Sequence, residues 1–267
     1  MRCLLKILFI ADIVGRAGRR AVSQFLPKIL SRHSIDFVLA NGENAAGGLG
    51  ITPQVAEELL SGGVDLLTSG NHVWEKREIL TFMDSGKRLI RPANYPEGTP
   101  GYGTALIATP MNTRIGILNL EGRVFMKNLD CPFVAAKREI ERLKKEVEII
   151  IVDFHAEATS EKVALGWFLD GEVSAVIGTH THVQTADEKI LPKGTAYITD
   201  VGMTGPIYSV IGMKKEIVVK RFLTQIPQKF EVAKGDIQLQ GVIIGIDTKT
   251  GKSTSIERIN ITSINGI

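Results

Sequence analysis

Five short apolar runs, each followed directly by polar residues, constrain the fold more than any other feature of this sequence. The runs lie at 6–11, 37–40, 66–69, 147–154 and 173–177. Short apolar runs that are bounded by polar or glycine-rich segments are typical of buried strands. Helical patterns lie between most of these runs, so we predict an α/β protein with largely parallel strands.

Helices are predicted from apolar residues at helical spacing and from capping signals. Thr52-Pro53 is a typical helix start and Gly62-Gly63 a typical helix end. The first helix follows the loop 12–16, and Pro27 is expected to kink or restart it. The same spacing predicts further helices near 76–83, 133–146, 160–169 and 214–222.

Additional strands are predicted in the middle and the tail of the chain. The segments 103–109 and 114–120 form a predicted hairpin around Pro110-Met111-Asn112. The tail has strand patterns at 196–199, Val232, 238–246 and 253–261. We therefore expect a four-layer α-β-β-α sandwich, in which two mixed sheets pack face to face with helices outside. The length allows one large domain or two small ones, and we expect a single domain over 1–267.

The composition excludes several classes of protein. The chain is 44% hydrophobic and 23% charged, which is typical of a soluble globular protein. A net charge of +3 is too small to indicate nucleic-acid binding, and no apolar segment is long enough to cross a membrane. Because Cys3 and Cys131 are the only cysteines, we expect a reducing cytoplasm. Lys6 interrupts the apolar segment at the start of the chain, and Asp12 follows it. The segment therefore resembles a strand more than a signal peptide.

The stretch 178–182, Gly-Thr-His-Thr-His, places two histidines directly after the last apolar run. On an extended segment, side chains at i and i+2 point the same way. His180 and His182 could therefore form half of a metal site. Taken alone, the stretch is equally consistent with an exposed turn that contains two histidines.

Metal-binding residue types follow all five apolar runs. They are Asp12, then Glu43 and Asn44, then Asn71 and His72, then His155, and finally His180 and His182. Sites in α/β proteins form beyond the carboxyl ends of the strands. Buried polar groups are costly unless they are paired or bound to metal. Four of the five histidines take part, and only His33 is expected to be an ordinary surface residue.

The order of these motifs resembles that of the calcineurin-like metallophosphoesterases. That superfamily has an Asp after the first strand, an acid after the second, Gly-Asn-His after the third, a lone His, and a late Gly-His-x-His or a variant of it. This chain departs from the pattern at Val14, at Asn41-Gly42-Glu43-Asn44 and at Val73, where the superfamily has His, Gly-Asp-x-x-Asp and an acid. Those departures resemble one branch, the bacterial YmdB-like phosphodiesterases, and the resemblance covers nearly the whole chain.

The resemblance implies the calcineurin-like fold and a centre with two metal ions. One ion would be bound by Asp12, Glu43, Asn44 and His182, and the other by Glu43, Asn71, His155 and His180, with Glu43 bridging. Such nitrogen and oxygen ligands suit iron or manganese, with zinc as a further option.

This ligand set is consistent with phosphodiester hydrolysis. Two divalent ions carry four positive charges; Asp12, Glu43 and a bridging hydroxide carry three negative ones, so about one positive charge remains to attract phosphate. Two ions about 3.5–4 Å apart can activate the hydroxide for in-line attack. By analogy, His72 is the general acid that protonates the leaving alkoxide, typically worth about 10²–10⁴-fold in rate. Alternatively, His72 orients a ligand from outside the metal site.

Other residues near the presumed site have less specific interpretations. Arg16 could contact phosphate or lie on the surface, and the loop 47–50 could admit substrate or simply be flexible. Asp153 or Glu157 could hold a histidine in one tautomer. Asp200 is expected near the site without an assigned role.

The leading hypothesis is a dinuclear-metal phosphodiesterase, and the resemblance implies 2′,3′- or 3′,5′-cyclic nucleotides as substrates. A phosphomonoesterase or nucleotidase remains an alternative, as does a nucleotide- or RNA-linked regulator with a structural metal site. A Rossmann-type binder is disfavoured because the loop 15–18 lacks Gly-x-Gly-x-x-Gly.

Trp74 and Phe154 are expected in the core and not as platforms for base stacking. We expect a small phosphodiester as partner and neither membrane nor nucleic acid, and the sequence leaves a homo-oligomer open.

Overall fold

The computed structural model describes residues 3–86 and 88–264, so 1–2, 87 and 265–267 of the expected 1–267 domain lie outside the described residues. The described residues contain thirteen strands and six helices. In chain order they are β1 Leu4–Ile10, β2 Asp12–Ile13, α1 Gly15–His33, β3 Phe37–Asn41, α2 Pro53–Ser61, β4 Leu66–Thr68, α3 Ile79–Asp84, β5 Thr104–Ala108, β6 Arg114–Glu121, α4 Pro132–Leu143, β7 Ile149–His155, α5 Thr159–Phe168, β8 Ala175–Thr179, β9 Lys189–Ile190, β10 Ala196–Ile198, β11 Met203–Pro206, α6 Lys215–Thr224, β12 Ile237–Asp247 and β13 Ser253–Thr262.

The strands form two mixed sheets. The first has the order β2-β11-β12-β1-β3-β4, and β13 pairs with β12 as its seventh strand. Within it, β1 runs parallel to β3 and antiparallel to β12. The second has the order β5-β6-β7-β8-β10-β9. Its strands β6, β7, β8 and β10 are parallel, whereas β5 and β9 pair antiparallel at the edges. The predicted hairpin is therefore confirmed as β5 and β6.

The two sheets pack face to face through alternating apolar side chains. Ile7 and Phe9 of β1 belong to the same buried cluster as Ile117, Ile151 and Ile177 of the second sheet. Successive side chains of a strand point to opposite faces, so the residues between them must pack elsewhere. This arrangement explains why the strands appear in the sequence as unbroken apolar runs.

Helices cover the outer face of each sheet. Leu8 and Ile10, which alternate with the inward residues of β1, pack in a cluster with Phe25 of α1 and with residues of α2 and α3. On the second sheet, Val152 of β7 packs in a cluster with Leu165 of α5 and with residues of α4. The predicted α-β-β-α arrangement of four layers is therefore confirmed.

Helix α1 runs through Pro27 as one element, so the expected restart at that residue is wrong. A proline inside a helix costs about 3 kcal/mol because it removes a hydrogen bond and crowds the preceding turn. Phe25, Leu26 and Ile29 are buried on the same helix. Each such side chain contributes about 1.5–3 kcal/mol on burial, which together outweighs the cost of the proline.

Three local expectations differ from the structure. Asp12 begins strand β2 instead of lying in a loop, and it is paired with Met203 of β11. The helix expected at 76–83 begins only at Ile79. Val232 forms an isolated bridge with Met213 instead of a strand. Asp12 and Val232 pair with distant parts of the chain, which local patterns do not reveal. Among the described residues, no helix has the length and apolar character needed to span a membrane.

A buried ion pair fastens the loop after β8 to the end of β10. Lys162 of α5 places its Nζ 2.6 Å from Asp200 Oδ2, and both side chains are 1% exposed. The ammonium also donates to the Thr179 carbonyl at 2.7 Å. Asp200 accepts the backbone N–H of Thr181 at 3.0 Å and that of Gly202 at 2.8 Å. The pair therefore fixes the backbone on both sides of His180.

We expect Lys162→Met to lower the free energy of unfolding by about 3–5 kcal/mol, because it leaves the Asp200 carboxylate buried without its counter-charge. Urea denaturation of the purified variant measures this change. Lys137→Met, at an exposed position on α4, is the control and should change stability by less than about 0.5 kcal/mol. A loss below about 1 kcal/mol in Lys162→Met would show that the pair does not hold this region.

Candidate metal centre

All eight residues predicted for the site lie together beyond the carboxyl ends of strands from both sheets. The first sheet contributes residues that follow β1, β3 and β4, and the second sheet contributes the end of β7 and the loop after β8. They are Asp12, Glu43, Asn44, Asn71, His72, His155, His180 and His182. The centre therefore sits where the two sheets meet.

Glu43 occupies the middle of this group and is wholly buried. Its Oε1 accepts a hydrogen bond from Asn44 Nδ2 at 2.8 Å. Its Oε2 lies 3.2 Å from His155 Nε2 and accepts the backbone N–H of His72 at 3.2 Å. The two oxygens thus face different sets of neighbours, as a bridging carboxylate requires.

One set of donors surrounds the Oε2 side. His155 Nε2 lies 2.9 Å from Asn71 Oδ1 and 3.0 Å from His180 Nδ1. One donor atom from each of Glu43, His155 and His180 lies within 4.8 Å of the other two, a spacing that could hold a metal ion. Two ring nitrogens and two oxygens converge here, which suits a transition-metal ion.

The other set of donors surrounds Asp12. Its Oδ1 is 3.7 Å from His182 Nε2, and that nitrogen is 3.3 Å from Asn44 Nδ2. Asp12 Oδ1 is buried and has no hydrogen-bond partner among the described residues. Buried carboxylate oxygens are rarely left unpaired, so this atom fits a cation. Asn44 presents its amide nitrogen here, and binding through its oxygen requires a rotation of the amide.

The protonation equilibria of the centre are strongly perturbed. Burial raises the pKa of Asp12 to about 6, although His182 and His155 oppose the rise. Burial also disfavours the ionised form of Glu43, but His155 and His72 outweigh it and hold the pKa of Glu43 well below its usual value. Burial opposes the charge of His155, yet Glu43 raises its pKa to about 9. Burial and the adjacent His155 lower the pKa of His180 to about 3. The cluster therefore favours a positive charge on His155, which lies close to the carboxylates.

A chain of hydrogen bonds fixes the orientation of the His155 ring. The Thr179 hydroxyl donates to Asp153 Oδ1 at 2.7 Å and lies 2.9 Å from His155 Nδ1. A hydroxyl has one hydrogen, so it must accept from Nδ1, which leaves Nε2 unprotonated toward Glu43 in the neutral ring. Burial raises the pKa of Asp153 to about 7, while His155 and the hydroxyls of Thr68 and Thr179 oppose the rise. Asp153 thus acts on the histidine through a threonine.

The other two histidines are each held at the ring nitrogen that points away from the group. His180 Nε2 lies 3.1 Å from Glu157 Oε2, and His182 Nδ1 lies 3.0 Å from the Ile211 carbonyl oxygen. Partners of this kind orient metal-binding imidazoles. Asp153 and Glu157 therefore occupy the positions at which a histidine tautomer can be held.

The expected extended geometry of the 178–182 stretch is wrong. Strand β8 ends at Thr179, and His180 and His182 have φ values of 101° and 64°. Left-handed backbone at residues other than glycine costs about 1–3 kcal/mol each and persists only where surrounding contacts impose it. The Lys162–Asp200 pair supplies such contacts. The two rings consequently reach different sides of Glu43 instead of pointing the same way.

Glycine is required where backbone passes close to the centre. A Cβ added to Gly70 would lie 2.3 Å from His155 Nε2 and 2.4 Å from Glu43 Oε2. At Gly178 it would lie 1.8 Å from the Thr199 carbonyl oxygen. The glycines of the Gly-Asn-His and Gly-Thr-His-Thr-His motifs therefore allow the strand ends to approach closely.

His72 lies beside the group at the edge of solvent. Its Nδ1 is 2.9 Å from Asn44 Oδ1 and 3.4 Å from Glu43 Oε1, and its side chain is 31% exposed. The ring borders a cavity of about 680 Å³ whose floor also includes His180 and His182. This position gives the ring contact with the polar group and with a bound molecule.

Arg16, Trp74 and Phe154 lie outside the group of eight site residues. Arg16 lines a neighbouring cleft with Arg20 and Gly47; Phe230 borders both this cleft and the cavity of His72, but Arg16 does not line that cavity. Trp74 packs edge-on against Tyr95 with ring centroids 5.8 Å apart. Phe154 is wholly buried, so both aromatic residues lie in packed surroundings as expected.

Sequence reasoning missed the residues that support the centre. Lys162 gave no signal, because a lysine on an amphipathic helix is normally exposed. Thr68 and Thr179 have the pattern of ordinary strand residues. Asn41 belongs to the Asn-Gly-Glu-Asn motif and could have been singled out, since its amide donates to Asp153 Oδ2 at 3.2 Å.

Comparisons with known proteins agree with this architecture. A family profile described as YmdB-like protein matches residues 8–259. A 2′,3′-cyclic-nucleotide 2′-phosphodiesterase of Bacillus subtilis (strain 168) is 51% identical over 257 residues, which are 96% of this chain and 97% of that protein.

Two crystal structures are similar over nearly their whole length. A hypothetical protein from Thermus thermophilus has a TM-score of 0.90 at 41% identity, with 97% of this chain and 99% of that chain covered. A structure titled a novel phosphatase from Mycoplasma pneumoniae has a TM-score of 0.91 at 38% identity, with 98% and 95% covered. With the family match and the 51% identical relative, these similarities establish that this chain belongs to the YmdB-like family.

Proposed function

We propose that this chain is a metal-dependent phosphodiesterase that hydrolyses 2′,3′-cyclic nucleotides at the group around Glu43. The observation that carries the proposal is the buried Asp12 Oδ1, which has no hydrogen-bond partner among the described residues and lies within a convergent set of carboxylate, amide and imidazole groups. The substrate class is supported by the Bacillus subtilis relative, which is named a 2′,3′-cyclic-nucleotide 2′-phosphodiesterase and is 51% identical.

The donors around Glu43 would hold two metal ions. One ion would be bound by Asp12, Glu43, Asn44 and His182, and the other by Glu43, Asn71, His155 and His180. This mixture of imidazole nitrogen and oxygen donors suits iron or manganese, and also zinc. When bound, such a pair supplies the Lewis acidity that activates water and neutralises charge on a phosphoryl group.

The ligands that the chain supplies would keep the metal-bound site attractive to anions. Asp12 and Glu43 are the only carboxylates in the proposed ligand set, and the other ligands are neutral imidazoles and amides. Two divalent ions would therefore leave net positive charge at the floor of the cavity. A phosphodiester carries one negative charge and is held there by electrostatic attraction.

His72 would supply the proton that the leaving group needs. Its Nδ1 lies 2.9 Å from Asn44 Oδ1, and after the amide rotation that metal binding requires, Asn44 Nδ2 would take this place and donate to Nδ1. The ring also lines the cavity, so Nε2 is the nitrogen available to a substrate oxygen. An alkoxide is a poor leaving group at neutral pH, and proton donation in the transition state typically contributes about 10²–10⁴-fold.

A phosphomonoesterase is the second candidate. One observation favours it: the similar Mycoplasma pneumoniae structure is titled a phosphatase. A monoester dianion needs room for a second charged oxygen, whereas a cyclic diester presents a ring.

The purified protein should be assayed with 2′,3′- and 3′,5′-cyclic nucleotides and nucleoside monophosphates. The 2′,3′-cyclic class should have the highest kcat/KM, and a preference for monoesters would favour the second candidate.

His72→Ala should retain the metal content of the native protein and lose about 10²–10⁴-fold in kcat on 2′,3′-cyclic nucleotides. Its loss on an aryl phosphodiester should be much smaller, because a nitrophenolate leaves without a proton. Steady-state kinetics on both substrates, with elemental analysis, measure this difference. His33→Ala, on the last turn of α1, is the control. Equal losses on the two substrates would rule out the acid role.

Removal of metal should abolish hydrolysis, and addition of Fe²⁺ or Mn²⁺ should restore it. Glu43→Gln should bind fewer than the expected two ions per chain, because a neutral amide bridges two cations poorly. Glu139→Gln is a control at a largely buried glutamate of α4. Elemental analysis and activity before and after chelation measure both effects. Full activity of chelated, metal-free protein would contradict the proposal.

A further inference from the structure

Helix α6 presents one side to the cavity above the centre. Val218, Arg221, Phe222 and Gln225 line that cavity. The spacing of i, i+3 and i+4 places Val218, Arg221 and Phe222 on one face of α6, and Gln225 caps the end of the helix. Val218 is the only buried residue within α6. The face is therefore directed at the cavity and contributes little to the core.

The cavity has two chemically different sides. Its floor consists of Glu43, Asn44 and the three histidines His72, His180 and His182. Its wall is largely apolar and is completed by Leu49, Ile211 and Met213. A volume of about 680 Å³ lies within the range of small-molecule sites. A molecule with an anionic end and a flat apolar end would match both sides.

Two aromatic rings on the wall are open to solvent. Phe222 is 72% exposed and Phe230 is 39% exposed. The Arg221 guanidinium carbon lies 4.9 Å from the centroid of the Phe230 ring. Aromatic faces and arginine planes are the surfaces on which nucleobases stack. Such exposed rings beside a phosphate-attracting floor indicate a site for a base.

We infer that α6 forms the nucleobase subsite of the enzyme, with the base stacked on Phe222 and bordered by the Arg221–Phe230 pair. The inference rests on the proposed function, since it requires the phosphoryl group to lie on the floor. Gln225, directly after α6, lines the same cavity, and its Nε2 donates to the Phe222 carbonyl at 2.9 Å, which leaves the amide oxygen as an acceptor for the edge of the base.

The wall and the floor are joined by direct contacts. The carbonyl of Ile211, which precedes α6 in the chain, is 3.0 Å from His182 Nδ1. Ile211 has a φ of 46°, a conformation that β-branched residues rarely adopt. The Lys214 backbone N–H donates to the Glu231 carbonyl at 2.9 Å, which ties the start of α6 to the segment that carries Phe230. These contacts hold the wall in a fixed position relative to the floor.

Phe222→Ala should raise the KM for adenosine 2′,3′-cyclic phosphate about 10-fold or more, with kcat within about twofold. The base-free probe methyl riboside 2′,3′-cyclic phosphate should show unchanged kinetics. Phe222→Trp should restore the low KM, because it retains a stacking surface. Leu223→Ala is the matched control, since Leu223 is the next residue, is 81% exposed and does not line the cavity.

A binding measurement separates the two proposals. Calorimetry on the metal-loaded full chain should show that Phe222→Ala weakens adenosine 3′-phosphate about 10-fold or more and leaves inorganic phosphate unchanged. An equal effect on both ligands, or no effect on the nucleotide, would overturn the base subsite. If the native protein binds the nucleotide through Phe222 but hydrolyses no cyclic nucleotide, the proposed function fails and the subsite stands.

Discussion

Burial of the Asp12 and Glu43 carboxylates where the two sheets meet is the constraint on which the rest of the structure depends. Both side chains are wholly buried, and Asp12 Oδ1 lacks a hydrogen-bond partner within the part of the chain that the structure describes. Removing a carboxylate from water costs several kcal/mol unless opposite charge compensates. The surrounding imidazoles compensate only in part, because burial and the adjacent His155 hold the pKa of His180 at about 3. The buried carboxylates therefore favour the binding of cations at this site.

The centre is built from two sets of residues with different origins. The inner groups come from strand ends of both sheets, so their spacing depends on the apolar packing between the sheets. The outer groups hold these side chains in place: Asp153 acts through Thr179, Glu157 contacts His180, and the Ile211 carbonyl contacts His182. Because α6 follows Ile211, the same contact links the proposed base subsite to the proposed site of hydrolysis.

Local sequence is enough to predict the layers and the convergence of the eight site residues, because both follow from apolar runs and from what ends them. Features that depend on distant partners are not accessible in this way. Pro27 stays within a helix because its neighbours are buried on the sheet. The left-handed His180 and His182 depend on contacts from Lys162 and Asp200, and a buried lysine has no local signature. The cavity face of α6 likewise exists only relative to the folded centre.

The central claim, that this group holds two metal ions around Glu43, is tested most directly by anomalous X-ray diffraction. Crystals of the iron- or manganese-loaded protein should be measured at the absorption edge of the metal. We expect two peaks about 3.5–4 Å apart, one beside Asp12 and His182 and one beside His155 and His180, with Glu43 between them. A single peak, or peaks remote from Glu43, would contradict the claim.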